Sequence, residues 1–337
     1  MDDVFDFINA KVGRNMSKHA KIVDGILQAI VEGKLQVGDM LPSVNKIMVK
    51  AGVARMTAVR ALDELKKRSV IESKNRVGYF VKTEYVTHQI KVMLFLTSFD
   101  SYHEVLYKEI ISGLNTERFS VDLYFHHCNP DVFRAILKEH LGLYRLYVVT
   151  PFRHSFVSRA LQEIPKHRLL QVARPPMLPG TSYVSQGFDR EVTDALLQIE
   201  ERIAKYDHFE LIFSEKRGLP EEIKGAFSKF CDIVGISWSI GQTIEKERIK
   251  KGTAFFTITD NDLIRIVKLT EEKGFRIGNE IGIISYNETP MKEIIRNGIT
   301  VISTDFRQMG EDVRKFIETQ EFIQKNIPTK VILRNSI

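Results

Sequence analysis

From residue 90 onward, short apolar runs alternate with longer amphipathic ones, and this alternation constrains the fold more than any other feature. The runs at 90–97, 121–127, 146–150, 169–173, 210–214, 254–259, 281–285 and 299–303 are dominated by Val, Ile, Leu and aromatic residues. Strands of parallel sheets, covered by helices on both faces, read this way. Between them lie stretches such as DVFRAILKEHL, DREVTDALLQIEERIAKY and NDLIRIVKLTEEKGF, which read as helices. The pattern predicts an α/β doubly wound domain over 90–337. About 250 residues is long for one such sheet, so two lobes are expected. Ligands of such sheets bind beyond the carboxyl ends of the strands.

The first 82 residues are different in kind. Residues 11–82 hold 15 Lys and Arg against 6 Asp and Glu, whereas 83–337 balance at 34 of each. A basic segment joined to a neutral one points to a polyanion partner for the former; a solvated lysine-rich face is the plainer alternative. Within it, Ile22, Val23, Ile26, Leu27 and Ile30 recur at helical spacing over 18–32, and Gly33 ends that helix. Ser43 reads as the N-cap of a second helix with Val44, Ile47, Met48 and Ala51 inward. Gly52 breaks it. A third helix follows, with Ala58, Ala61, Leu62 and Leu65 on one side and Arg55, Met56, Arg60 and Asp63 on the other. Two β-like runs, 70–73 and 79–82, then form a wing. Residues 15–82 are therefore expected to be a winged helix-turn-helix, whose third helix fits a DNA major groove.

The candidate DNA contacts are Ser43, Asn45, Arg55, Met56, Thr57 and Arg60, with Arg76, Gly78 and Tyr79 on the wing. Arg55 suits a phosphate or a guanine edge, Asn45 an adenine edge or a phosphate, and Met56 a thymine methyl. Each residue taken alone could equally be an ordinary surface side chain.

The order Gly33-Lys-Leu35, Gly38, Leu41-Pro-Ser43, Gly52-Val53, Arg55-Met-Thr57, Arg60 to Leu65 and Gly78-Tyr-Phe-Val81 resembles the DNA-binding domain of GntR-type regulators. There are departures. Val44-Asn45 replaces the family's Glu-Arg, Ala54 replaces a Ser or Thr before Arg55, and Val59 stands where an Arg is usual. From about 250 onward, Asn261-Asp262, Gly274, Gly282, Thr300-Val301, Asp305, Met309-Gly310 and Pro328-Thr329 resemble the effector domain of LacI-type regulators. That resemblance implies a type I periplasmic-binding-protein-like fold of two α/β lobes joined by three crossovers, with a small molecule, a sugar above all, in the cleft. It also implies a homodimer reading an inverted-repeat operator on double-stranded DNA, most commonly as a repressor.

Strand-end positions supply the ligand candidates Phe99, Tyr102, His103, Arg153 and Asp189. The resemblance adds Trp238 as an aromatic that stacks on sugar, and Asp262 and Glu288 as acids on its hydroxyls. Against these stand a core role for Trp238 and a capping role for Asp262. Glu222 occupies a position where the family often has a ligand-binding Arg.

No catalytic motif occurs, and no cofactor or metal is expected; adjacent strand residues such as His126-His127-Cys128 point apart. A sugar-metabolising enzyme and a sugar-sensing module with a vestigial head are the alternatives. Cys128 and Cys231 are expected to be reduced in a cytoplasmic protein, with no signal peptide and no membrane span. Residues 83–89 read as a linker. Residues 1–14 read as an extension whose Val4, Phe5, Phe7 and Ile8 would pack on the large domain or a dimer partner, with disorder as the alternative.

Overall fold

Ser17 opens the first long helix: its side chain accepts a hydrogen bond from the Ala20 amide, and α2 (Lys18–Val31) runs on from it. The computed structural model describes residues 3–9, 17–74, 77–83, 89–214 and 218–337. Arg76, most of the expected linker and residues 10–14 of the extension lie outside them. By internal contacts the chain divides into two units, residues 1–93 with 115–122 and 135–146, and residues 94–114 with 123–134 and 147–337.

In the first unit, α1 (Asp3–Asn9) precedes α2, and α3 (Val44–Ala51) and α4 (Arg55–Lys67) follow. Ser43 accepts from the Lys46 amide at the start of α3, and Gly52 closes that helix at φ +60°. Ala54 precedes α4 and gives no side-chain cap, as its methyl requires. The wing is β1 (Ile71–Lys74) antiparallel to β2 (Gly78–Val81), the latter also tied to 38–41 through the Leu41 amide on the Tyr79 carbonyl. Ile22, Ile26, Ile47, Ala58, Leu62 and Leu65 form the centre of one core. The extension joins that core. Val4, Phe5 and Ile8 of α1 are buried with it, chiefly against α2, so this apolar face belongs to the head and not to the large domain.

The remaining elements build two sheets. The first contains β3 (Ile90–Leu96), β4 (Phe119–Phe125), β5 (Leu146–Val149), β6 (Leu169–Val172) and β7 (Ser182–Ser185), with helices α5 (Ser101–Ser112), α6 (Pro130–His140) and α7 (Ser155–Leu161) between them. The second contains β8 (His208–Ile212), β9 (Ser237–Gly241), β10 (Thr253–Thr257), β11 (Ile281–Tyr286) and β12 (Thr300–Thr304), interleaved with α8 (Arg190–Leu197), α9 (Glu200–Ile203), α10 (Glu222–Val234), α11 (Asp260–Glu272) and α12 (Pro290–Ile294). After β12, α13 (Phe306–Thr319) packs on α5. Then β13 (Gln324–Asn326) adds to β7, and β14 (Thr329–Ile332) adds to β12.

The strand orders are β4-β3-β5-β6-β7-β13 and β9-β8-β10-β11-β12-β14. Both sheets thus share one doubly wound order. The chain passes between them after β7, after β12 and after β13, which makes the three crossovers. β14 is antiparallel to β12, while β9, β8, β10, β11 and β12 run parallel. Among the described residues no helix is long and apolar enough to cross a membrane.

Candidate functional site

On the head, the first two turns of α4 present Arg55, Met56 and Arg60 as exposed side chains beside the half-buried Thr57. Met56 keeps 61% of its surface exposed, so the core does not hold it. Arg55 Nη1 donates to Asn45 Oδ1 at 3.4 Å, so the starts of α3 and α4 are joined by two side chains able to read base edges. Ser43 is committed to its cap. Gly78, at φ +150°, sets the start of β2, and Tyr79 packs half-buried on the core. No acidic residue stands in the first turn of α3 or α4, so nothing there opposes a phosphate through the helix dipole.

In the second unit, strand ends of both sheets converge on a cleft of about 620 Å³, within the range of roughly 300–1,000 Å³ usual for small-molecule sites. Thr97 to Tyr102 follow β3, Thr150 follows β5, and Ala173 and Arg174 follow β6. Asp260 and Asn261 follow β10, and Asn287 and Thr289 follow β11. The ends of β3, β5 and β10 lie at the switch points of the two doubly wound orders, where crossing connections leave a crevice, and the ends of β6 and β11 extend it. Three lining residues other than glycine, His127, Ala173 and Asn287, hold φ between +50° and +66°. Such strain of about 1–3 kcal/mol each persists where surrounding structure enforces it, often at ligand sites.

The polar floor is ordered. Buried Lys292 donates to the carbonyls of Tyr286 and Asn287 at 2.8 and 2.7 Å and pairs with Asp260 Oδ1 at 3.0 Å. Burial pulls its ammonium below the ordinary lysine range, and Asp260 partly restores it. Ser101 Oγ holds the other Asp260 oxygen at 2.9 Å, tying α5 to α11 across the cleft. Gln186 Oε1 accepts from Thr304 Oγ1 at 2.7 Å and from the Tyr286 hydroxyl at 3.4 Å. With its oxygen taken, the Gln186 amide NH₂ is the group left for a ligand. Among the described residues, buried oxygens of four lining residues, Thr97 Oγ1, Thr150 Oγ1, Asn287 Oδ1 and Thr289 Oγ1, have no hydrogen-bond partner. Buried polar groups without partners are rare and costly, and they suit a site that is completed by a ligand or water.

The aromatic wall comprises Phe99, Tyr102, Phe188 and Tyr286. Tyr102 is braced by Phe306 at 4.9 Å between centroids, and burial raises its hydroxyl pKa. Phe99 is 52% exposed, an apolar plate open to solvent.

The other expected ligand residues lie outside this lining, each for a local reason. His103 is the buried side of α5; burial first, then the Arg174 charge, lowers its pKa to about 3, so the ring is neutral packing. Arg153 points outward and pairs with Glu222 at 2.7 Å, leaving neither free for the cleft. Asp189 is exposed and precedes α8, while its neighbour Phe188 reaches the cleft. Trp238 lies on β9, the edge strand, where its Nε1 donates to Asp232 and its ring meets Phe227 edge-on. Asp262 shares a reciprocal cap with Thr259, so its neighbours Asp260 and Asn261 do the lining instead. Glu288 turns away to Arg334 at 2.7 Å. Arg174, Gln186, Thr150 and Lys292 were not singled out from sequence; the strand-end rule that selected Phe99 also selects Arg174, directly after LLQVA.

Among the described residues no group of three His, Cys, Asp or Glu could hold a metal ion.

Residues 18–81 match the family of bacterial regulatory proteins of the gntR type, and residues 204–337 match the periplasmic-binding-protein-like domain family. The HTH-type transcriptional regulator GalR of Streptococcus thermophilus is 22% identical over 328 residues, covering 85% of this chain and 96% of that one. The mannosyl-D-glycerate transport/metabolism system repressor MngR of Escherichia coli is 34% identical, but over 102 residues, 28% of this chain and 41% of that one. A LacI family transcriptional regulator from Arthrobacter sp. FB24, solved in complex with lactose, shares the fold at a TM-score of 0.59 and 13% identity, over 74% of this chain and 99% of that one.

Proposed function

The chain is built as a transcription regulator, a GntR-type regulatory domain joined to a periplasmic-binding-protein-like effector domain, and from that premise we propose that it is a homodimeric repressor released by a sugar. The head grips an inverted-repeat operator, with α4 in the major groove and one head on each half-site. Arg55, Met56 and Asn45 read bases there, and Ser43, Thr57 and Arg60 with Gly78 and Tyr79 of the wing hold the backbone.

The observation that carries the effector half is the cleft's composition. Aromatic plates at Phe99 and Tyr102 line the same cleft as the amides of Gln186 and Asn287 and the carboxylate of Asp260. Rings cover the C–H faces of a pyranose while paired polar groups take its hydroxyls. The lactose in the Arthrobacter regulator adds support from a shared fold. The effector acts by binding one lobe arrangement better than another, since only differential affinity moves such an equilibrium.

Two measurements test the reading. Selection from random duplexes, followed by a salt titration, should give an inverted repeat bound with a steep loss of affinity as salt rises; enrichment of no sequence would count against the DNA half. A thermal-shift screen of sugars should find one that raises the melting temperature; Asp260→Asn should weaken that response.

A further inference from the structure

Arg174 sits where the backbone is forced. Ala173 before it adopts φ +66°, and the turn is held by the Ala173 amide on the Val184 carbonyl at 2.9 Å and the Arg174 amide on the Val172 carbonyl at 2.8 Å. Pro175 and Pro176 follow and stiffen the exit. The side chain lines the cleft, and its Nη2 donates to the Gly218 carbonyl at 2.6 Å. That uses one of five N–H donors.

The charge balance of the lining singles this guanidinium out. Lys292, the other lining Lys or Arg, is committed to Asp260 and two carbonyls. Asp100 accepts from Ser98 Oγ at 2.8 Å, and the His103 ring 3.8 Å from it is neutral, so this carboxylate neither meets nor neutralises Arg174 by a direct contact. Among the described residues Arg174 has no carboxylate partner. Its field reaches the surrounding groups, disfavouring protonation of His103 and His126 and partly offsetting the burial of Tyr102, Tyr286 and Cys128. Thr97 and Thr150, at the ends of β3 and β5, carry buried hydroxyls that have no partner among the described residues. In the sheet β6, β5 and β3 are consecutive neighbours, so an arginine and two hydroxyls occupy adjacent strand ends.

We propose that the effector carries an anionic group, a carboxylate or a phosphate, which Arg174 takes through its planar fork while Thr97 and Thr150 donate to the remaining oxygens. Arginine recognises these anions in two-bond geometry, and an unpaired guanidinium in a narrow cleft favours an acidic over a neutral ligand. This rests on the reading of the cleft as a sugar site. It narrows the class to sugar acids and sugar phosphates.

The test is calorimetric titration of the full chain with matched sets: glucose, galactose, mannose and fructose, their 6-phosphates, and the corresponding aldonic or uronic acids where they exist. The expected result is an acidic member binding about 10-fold or more tighter than its neutral parent, with affinity falling as salt rises. Whether that member is a carboxylate or a phosphate identifies the anion. Arg174→Gln should abolish the acidic-to-neutral preference while weak neutral binding persists; Arg174→Lys, which keeps charge and loses the fork, should retain only part of it. A neutral sugar that binds as tightly as its acidic forms would overturn the proposal and leave the sugar reading intact. Binding by no member of either class would overturn both.

Discussion

Lys292 Nζ lies 3.0 Å from Asp260 Oδ1, and this pair joins the helix after β10 to the helix after β11 at the floor of the cleft. The lysine is fully buried and Asp260 is 26% exposed. Lys292→Met should therefore leave Asp260 without its cation and two carbonyls without their donor. A loss of about 3–5 kcal/mol in urea unfolding is expected, since removing one partner of a buried pair strands the other. A loss below about 1 kcal/mol would place this pair with exposed ones.

His126 should make stability depend on pH. Its Nδ1 accepts from the Cys128 amide and its Nε2 faces the Thr150 carbonyl at 2.9 Å, so the neutral ring with the proton on Nε2 fits. Burial first, with the Arg174 and His127 charges, lowers its pKa to about 4 against the Thr150 contact. The unfolded chain therefore binds a proton that the folded chain refuses between about pH 6.5 and 4. The stabilisation is present above pH 6.5 and is lost as pH falls through that window. Melting temperatures measured from pH 8 to 4 should fall there, and His126→Gln should flatten that fall relative to the parent.

Gly25 tests the docking of α1. Glycine to alanine inside a helix ordinarily gains about 0.5–1 kcal/mol. Here a Cβ would stand 2.7 Å from Ile8 Cα and Ile8 N, which are backbone atoms that cannot rotate away. Gly25→Ala should instead destabilise the head by about 1–3 kcal/mol. In a chain lacking residues 1–16 the same change should stabilise it. Equal signs in both backgrounds, measured by calorimetry, would contradict the docking.

Trp238, the single tryptophan, lies on an edge strand away from the cleft lining. Trp238→Phe should leave effector affinity within about 2-fold of the parent, a change near the measurement limit of titration. A large loss would return Trp238 to the site.

The three helices after residue 15 are legible from local pattern because each signals itself. Ser43 and Gly52 bracket α3, and Ala58, Ala61, Leu62 and Leu65 fix the buried face of α4. Apolar character marks Val4, Phe5, Phe7 and Ile8 for burial, but the expected cover, the large domain or a dimer partner, is not the one found, because docking on α2 depends on a missing Cβ at Gly25 of that helix. The two lobes were legible from apolar runs; the edge position of β9 was not, since strand order is a property of crossovers. Trp238 was misplaced for that reason. Arg174 carries no local signal beyond its strand-end position, because its meaning lies in the company it lacks, and unpaired charge is visible only once strands from distant parts of the chain meet. Arg153 illustrates the converse: its strand-end position reads as available, and Glu222 satisfies it.

Arg55 links the head's geometry to its grip. It is exposed, and its nearest polar partner is the weakly held Asn45. Arg55→Ala should cost about 1–3 kcal/mol on the selected duplex if it reads a guanine, with relaxed preference at one base pair; as a phosphate contact it should lower the salt slope by about 1. An unchanged affinity and slope would remove α4 from the interface.

The most direct test of the whole account is the coupling between duplex and effector on the full chain. Fluorescence anisotropy with the selected inverted repeat, with and without saturating effector, should give dissociation constants differing by about 5–150-fold, and titrating effector with and without duplex should return the same factor. Identical duplex affinity in the presence and absence of a bound effector would contradict it.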